Sequence, residues 1–181
     1  SSRVQEDPRA GQSRFPRLSR RSVVAGRIRH GTRDRWAAPD FALKSEHGEV
    51  VRLSDLRGEK NVALVFYPFA FSGICTGELC EIRDNLAAFD EGSVQVLAIS
   101  CDPMYALRTW AEAEKYPFPL LSDFWPHGEV AKAYGVFNES TGSSVRGTFL
   151  IDRDGVLRWS IVNGMGEARS LAGYREAIAA L

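Results

Sequence analysis

The chain has 181 residues, 44% of them hydrophobic and 25% charged. This composition suits one globular domain with an appended segment and excludes collagen-like, coiled-coil and fully disordered chains. No apolar run approaches the roughly 18 residues of a membrane-spanning helix, and three cysteines exclude a disulfide-dense secreted scaffold. The net charge of zero conceals an asymmetry: residues 1–35 hold ten Arg against three acids, or +7, and the remaining 13 basic and 20 acidic residues leave the body at −7.

The basic segment 1–35 has neither helical nor strand periodicity and is dominated by Arg, Ser, Gly and Pro. It buries too little apolar surface to offset its ordering entropy and reads as a disordered extension, or as sequence upstream of the true start. Arg20-Arg21 followed by Ser22-Val23-Val24-Ala25 begins like a twin-arginine export signal. Arg27 and Arg29 interrupt the apolar run well short of the about 7–15 residues such a signal needs.

The body, 36–181, is predicted as one domain. Residues 41–43 and 50–53 read as a hairpin around Glu46-His47-Gly48, with Ser54 capping a short turn before Gly58. Residues 61–67 (NVALVFY) form a continuous β-rich run that fits a strand buried on both faces, ended by Pro68. Leu79, Ile82, Leu86 and Phe89 recur at helical spacing, which predicts one helix over 74–90. A second buried strand follows at 94–100, then a helix from Pro103 to about Lys115, a strand at 118–121 and a short helix at 129–134. Residues 147–151 and 156–161 flank Asp152-Arg153-Asp154-Gly155, a hairpin with Asp-Gly in its turn. A helix over 167–181 closes the chain. Parallel βα units followed by an antiparallel pair imply an α/β fold: a mixed central sheet flanked by helices.

The chemistry concentrates in Pro68-Phe69-Ala70-Phe71-Ser72-Gly73-Ile74-Cys75-Thr76-Gly77-Glu78-Leu79-Cys80. A buried strand ends, a loop follows, and Cys75 falls at the start of a helix. Unpaired backbone N–H groups and the helix dipole there favour a thiolate, and cysteines so placed are reactive. The carboxyl end of a strand is also where open α/β sheets carry their sites. Cys101, at the end of a buried strand, reads as a small core residue. His30, His47 and His127 lack zinc spacing relative to the cysteines, and no Gly-rich phosphate loop is present, so neither a metal nor an organic cofactor is expected.

Pro68-x-x-x-Ser72-x-x-Cys75 resembles the peroxiredoxin active-site pattern, and further similarities run along the chain. They include Ala38-Pro39-Asp40-Phe41, Phe118-Pro119-Leu120-Leu121-Ser122-Asp123, Ala133-Tyr134-Gly135-Val136 and Arg146-Gly147-Thr148-Phe149-Leu150-Ile151-Asp152. Asp123-Phe124-Trp125-Pro126-His127-Gly128 and Gly135-Val136-Phe137-Asn138-Glu139 are most similar to the one-cysteine alkyl hydroperoxide reductase E branch. The resemblance covers about 36–181 and implies a thioredoxin-like fold. It also implies a cytoplasmic antioxidant peroxidase that reduces hydrogen peroxide and organic hydroperoxides through a sulfenic acid at Cys75. On the same basis Arg146 steadies the thiolate and the peroxide, Ser72 hydrogen-bonds the peroxide, and Pro68 shapes the pocket. Glu78, one helical turn after Cys75, reads either as an orienting group for arginine or as solvated surface.

Cys80 departs from the one-cysteine pattern. A cysteine five residues after the first resembles the bacterioferritin-comigratory branch, where it resolves the sulfenic acid as a disulfide. An ideal helix separates residues five apart by roughly 8.7 Å between Cα atoms, whereas a disulfide needs less than about 7 Å. Resolution by Cys80 therefore requires local unwinding, and an idle thiol is the other reading. The resemblance implies thioredoxin, a glutaredoxin-like protein or a small thiol such as mycothiol as reductant, and a homodimer that uses the aromatics Phe124 and Trp125. No nucleic acid or membrane partner is expected. A general disulfide oxidoreductase and a redox-sensing binding protein are the rival readings on the same fold.

Overall fold

The computed structural model describes residues 37–181; residues 1–36 and the readings made on them lie outside the described residues. The chain runs through β1 (Ala42–Ser45), β2 (Val50–Arg52), a 3-10 turn (Leu53–Leu56), β3 (Asn61–Phe66), α1 (Gly73–Asp84), α2 (Ala87–Glu91) and β4 (Val94–Ser100). It continues through α3 (Met104–Glu114), β5 (Leu120–Ser122), α4 (Glu129–Ala133), β6 (Phe137–Asn138), β7 (Ser143–Ser144), β8 (Arg146–Ile151), β9 (Leu157–Asn163) and α5 (Leu171–Ala179). Seven strands make one sheet in the order β2-β1-β5-β4-β3-β8-β9, and β6 and β7 pair separately. β3 pairs with β4 and β4 with β5 in parallel; the other pairings are antiparallel. This is the expected mixed sheet flanked by helices.

The unbroken apolar runs are explained by burial on both faces. Along β3, Ala63, Val65 and Tyr67 enter one core with Cys75, Leu79 and Ile82 of α1, Trp110 of α3 and Tyr174 of α5. Val62, Leu64 and Phe66 enter the opposite core with Phe41, Val130 of α4 and Phe149. Alternate strand side chains point to opposite faces, so each half of the run lines its own core. The same alternation along β8 puts Leu150 on the α1 side and Phe149 and Ile151 on the other. Arg146 and Thr148 share the parity of Leu150, and an arginine 71 residues after Cys75 thereby faces α1. Next to it, β8 runs close to another segment: a Cβ on Gly147 would meet Val136 Cγ1 at 2.8 Å.

Several boundaries differ from the sequence reading. The helix predicted over 74–90 is two, broken at Asn85. The Asn85 amide donates to Glu81 O at 2.9 Å and its backbone N–H to Glu81 O and Ile82 O. A short polar side chain that bonds its own backbone competes with helix propagation. Ser54 is not a cap: it lies inside the 3-10 turn and donates its N–H to Asp40 Oδ1 at 2.9 Å, with Arg52 at the N-cap. β5 starts at Leu120 rather than 118, after Pro119, which has no N–H to give a ladder. The closing helix starts at Leu171 rather than 167, because the Arg169 backbone N–H is held by the side chain of Glu78 at 2.7 Å.

Candidate active site

β3 ends at Phe66, and buried Pro68 heads the loop that leads into α1. Ser72 is the N-cap of α1: its Oγ accepts the Cys75 N–H at 3.3 Å, which satisfies one of the helix's orphan donors. The cap leaves the Ser72 O–H free to donate. Thr76 Oγ1 closes the turn by donating to Ser72 O at 2.9 Å. Cys75 therefore sits in the first turn, at the positive end of the helix, and is fully buried in the core cluster.

Arg146, at the start of β8, donates from Nη1 to Cys75 Sγ at 3.4 Å and to Glu78 Oε2 at 2.5 Å. Its Nε donates to Met165 O at 2.9 Å. Among the described residues its Nη2 has no hydrogen-bond partner. The buried guanidinium thus sets a planar fork of donors beside the sulfur, with the Nη2 edge unused. Of the two readings of Glu78, solvated surface is the one the structure excludes, since the residue is buried. Its carboxylate is buried between two guanidinia, those of Arg146 and Arg169.

Arg169 is the residue that sequence reasoning missed. It gives Glu78 Oε1 its backbone N–H and its Nε at 3.2 Å, and gives Oε2 its Nη2 at 3.0 Å. Its Nη1 donates to Phe66 O at 2.7 Å, Gly147 O at 3.0 Å and Thr148 Oγ1 at 3.2 Å. One side chain thus ties the end of β3, the start of β8 and α1 together. A single arginine in a segment read as a helix start carries no sequence signal of such burial.

The other cysteines lie elsewhere. Cys101 is buried, as its reading as a core residue expects, and burial pushes its thiol up to about 12, helped by the charges of Asp123 and Asp102. Cys80 is half-buried against the edge of the same core; its Sγ donates to Glu114 Oε2 at 3.4 Å and lies 3.8 Å from Tyr116 Oη. Burial and the Glu114 carboxylate push this thiol up against the pull of Tyr116. α1 is unbroken between Cys75 and Cys80, and the two sulfurs are not brought together. Phe124 and Trp125 are exposed. Among the described residues, no cluster of His, Cys, Asp and Glu is arranged to hold a metal, and no helix is long and apolar enough to cross a membrane.

A helix-start cysteine facing a buried arginine, on a mixed sheet flanked by helices, defines a thiol enzyme of thioredoxin-like fold. The family model described as AhpC/TSA matches residues 35–160, and the chain belongs to that family, the peroxiredoxins. Alkyl hydroperoxide reductase E of Mycobacterium tuberculosis is 49% identical over 144 residues, covering 80% of this chain and 94% of that protein. The reduced 2-Cys peroxiredoxin of Plasmodium vivax superposes with a TM-score of 0.73 at 29% identity, covering 80% of this chain and 79% of that one. Peroxidoxin BcpB of M. tuberculosis gives a TM-score of 0.68 at 34% identity, covering 79% and 92%. The protein is a thiol-dependent peroxidase that acts on peroxide.

The Glu78 clamp makes stability depend on pH. Burial alone would raise the Glu78 pKa, but the Arg169 charge, the hydrogen bonds from Arg169 and the Arg146 charge outweigh it and hold the group below the ordinary glutamate value. A folded pKa below the unfolded one contributes stability that is present above the unfolded pKa and lost as pH falls through the folded one. Glu78→Gln should cost about 3 kcal/mol at neutral pH, because two buried guanidinia lose their counter-charge. It should also flatten the acid limb of a stability–pH profile below about pH 4.3. Urea denaturation from pH 7 to pH 3 measures both; parallel acid limbs for wild type and variant would exclude this role.

Proposed function

We propose that Cys75 is the peroxidatic nucleophile, with Arg146, Ser72 and Pro68 around it and Glu78 holding Arg146 in place. The observation that carries this is the Arg146 guanidinium 3.4 Å from the Cys75 sulfur at the start of α1. The thiolate attacks one peroxide oxygen; the S–O bond forms as the O–O bond breaks. The departing oxygen takes a proton and leaves as water or an alcohol, and Cys75 becomes a sulfenic acid. Arg146 and the free Ser72 O–H face the site where charge passes to the leaving oxygen, and preorganised donors there lower the barrier. Pro68 closes the strand side of the pocket without adding an N–H.

The sulfenic acid is then returned to the thiol by an external reductant: thioredoxin, a glutaredoxin-like protein or a small thiol such as mycothiol. The folded helix supports this route, because Cys80 points into the Glu114–Tyr116 contact rather than toward Cys75. Cys80 acts as resolving cysteine only after the first turns of α1 unwind. We place the enzyme in the cytoplasm, whose reduced thiol pool suits three free cysteines. We further infer a homodimer through Phe124 and Trp125, the latter 81% exposed, since large aromatics outside a core are enriched at interfaces.

In stopped-flow peroxide decay, Cys75→Ser should abolish turnover while retaining the fold, and Arg146→Lys, which keeps the charge but loses the planar fork, should slow it about 10²-fold. Wild-type kinetics in either variant would remove that residue from the mechanism. Mass spectrometry after one equivalent of peroxide should find one added oxygen on Cys75 and a free Cys80 thiol. A Cys75–Cys80 disulfide with no lasting sulfenic acid would instead make Cys80 the resolving residue. Sedimentation should give a dimer for the wild type and a weakened one for Trp125→Ala; a monomeric wild type would overturn the assembly.

A further inference from the structure

We propose that Asp102 is a positioning residue for the Cys75 reaction: its carboxylate holds the 68–72 loop in register through the Ala70 backbone N–H. This rests on Cys75 as the nucleophile. Asp102 follows β4 and is itself fixed from several sides. Its Oδ2 accepts the Ser100 hydroxyl at 2.7 Å, its N–H donates to Ser100 Oγ at 3.3 Å, and its carbonyl accepts the Ser122 hydroxyl at 2.6 Å. The same Oδ2 accepts the Ala70 N–H at 2.9 Å.

That last bond is the only hydrogen bond among the described residues that joins residues 68–71 to an element outside the loop. Pro68 has no N–H to contribute, and within the loop Ser72 N–H reaches Phe69 O only at 3.5 Å. The residue after Ala70 is strained. Phe71 has φ 65, a left-handed conformation that a bulky L residue seldom adopts and that persists only when its surroundings impose it. Its ring lies against Trp110, with centroids 6.0 Å apart, while more than half of the residue stays exposed. Ser72 follows, and its hydroxyl caps the Cys75 N–H. A single residue, Phe71, therefore separates the Asp102 anchor at Ala70 from the Ser72 cap of the nucleophile.

Peroxide attack needs the sulfur, the Arg146 edge and the Ser72 O–H in one arrangement, and a misplacement of about 1 Å can slow such a reaction about 10²-fold. Alkylation of Cys75 by iodoacetamide, read on the Cys75 peptide by mass spectrometry to separate it from Cys80, needs the thiolate but not the Arg146 and Ser72 donors. The anchor requires an acceptor oxygen rather than a charge. Oδ1 of Asp102 has no hydrogen-bond partner among the described residues, so the NH2 of an asparagine can occupy its place while the amide oxygen keeps both bonds.

The experiment compares peroxide reduction and iodoacetamide alkylation in wild type, Asp102→Ala and Asp102→Asn, together with hydrogen exchange at the Ala70 amide of the wild type. Asp102→Ala should slow peroxide reduction about tenfold or more with alkylation within about twofold of the wild type. Asp102→Asn should recover most of the peroxide rate, and the wild-type Ala70 amide should be protected. An unprotected Ala70 amide overturns the proposal even if Asp102→Ala does not fold. So does a wild-type peroxide rate in Asp102→Ala, an equal loss in both variants, or an equal slowing of peroxide reduction and alkylation. Retained peroxidase activity in Cys75→Ser would instead overturn the assignment of the nucleophile, independently of Asp102.

Discussion

One buried carboxylate organises the site. Glu78 projects from α1 between Arg146 of β8 and Arg169 of the segment before α5, and accepts hydrogen bonds from both. None of the three charges is tolerable alone in this interior: two guanidinia without Glu78 would repel each other, and Glu78 without them would protonate. Together they join a helix, a strand and a loop that lie far apart in the chain. They also leave a single guanidinium corner at the Cys75 sulfur. The positive charge beside the Cys75 sulfur is thus a by-product of an arrangement that also holds the fold together.

The sheet was legible in the sequence because its strands are covered twice. An uninterrupted NVALVFY or VQVLAIS run admits little but a strand between two helical layers, and the structure gives β3 and β4 within a residue of the expected limits. Helix limits were less legible where side chains intervene: Asn85 ends α1 by bonding its own turn, and Glu78 holds the Arg169 backbone out of α5. Such events depend on local or distant polar contacts that hydrophobic spacing does not record.

The candidate site divides in the same way. The setting of Cys75 at a helix start follows from the order of strand, loop and apolar stripe, whereas the capping role of Ser72 was not read from the sequence. The parity of β8 turns Arg146 toward α1 once the strand is identified. Glu78 was ambiguous, because a glutamate one turn after Cys75 is surface or core depending on partners supplied from residues 146 and 169. Arg169 and Asp102 had no signal at all. Their roles consist of bonds to backbone groups and to side chains from distant parts of the chain, and no local pattern specifies those.

The unbroken helix between Cys75 and Cys80 bears on redox balance. Glu78 lies between the two cysteines in the chain, so any unwinding that lets the sulfurs meet withdraws Glu78 from its two arginines. The folded dithiol keeps that clamp, and a Cys75–Cys80 disulfide would forgo it. A state that is stabilised only when reduced raises the reduction potential of the couple. A bond between these cysteines would therefore be more oxidising than one that left the clamp intact, and more readily handed on to another thiol, suited to a passing intermediate rather than a permanent brace.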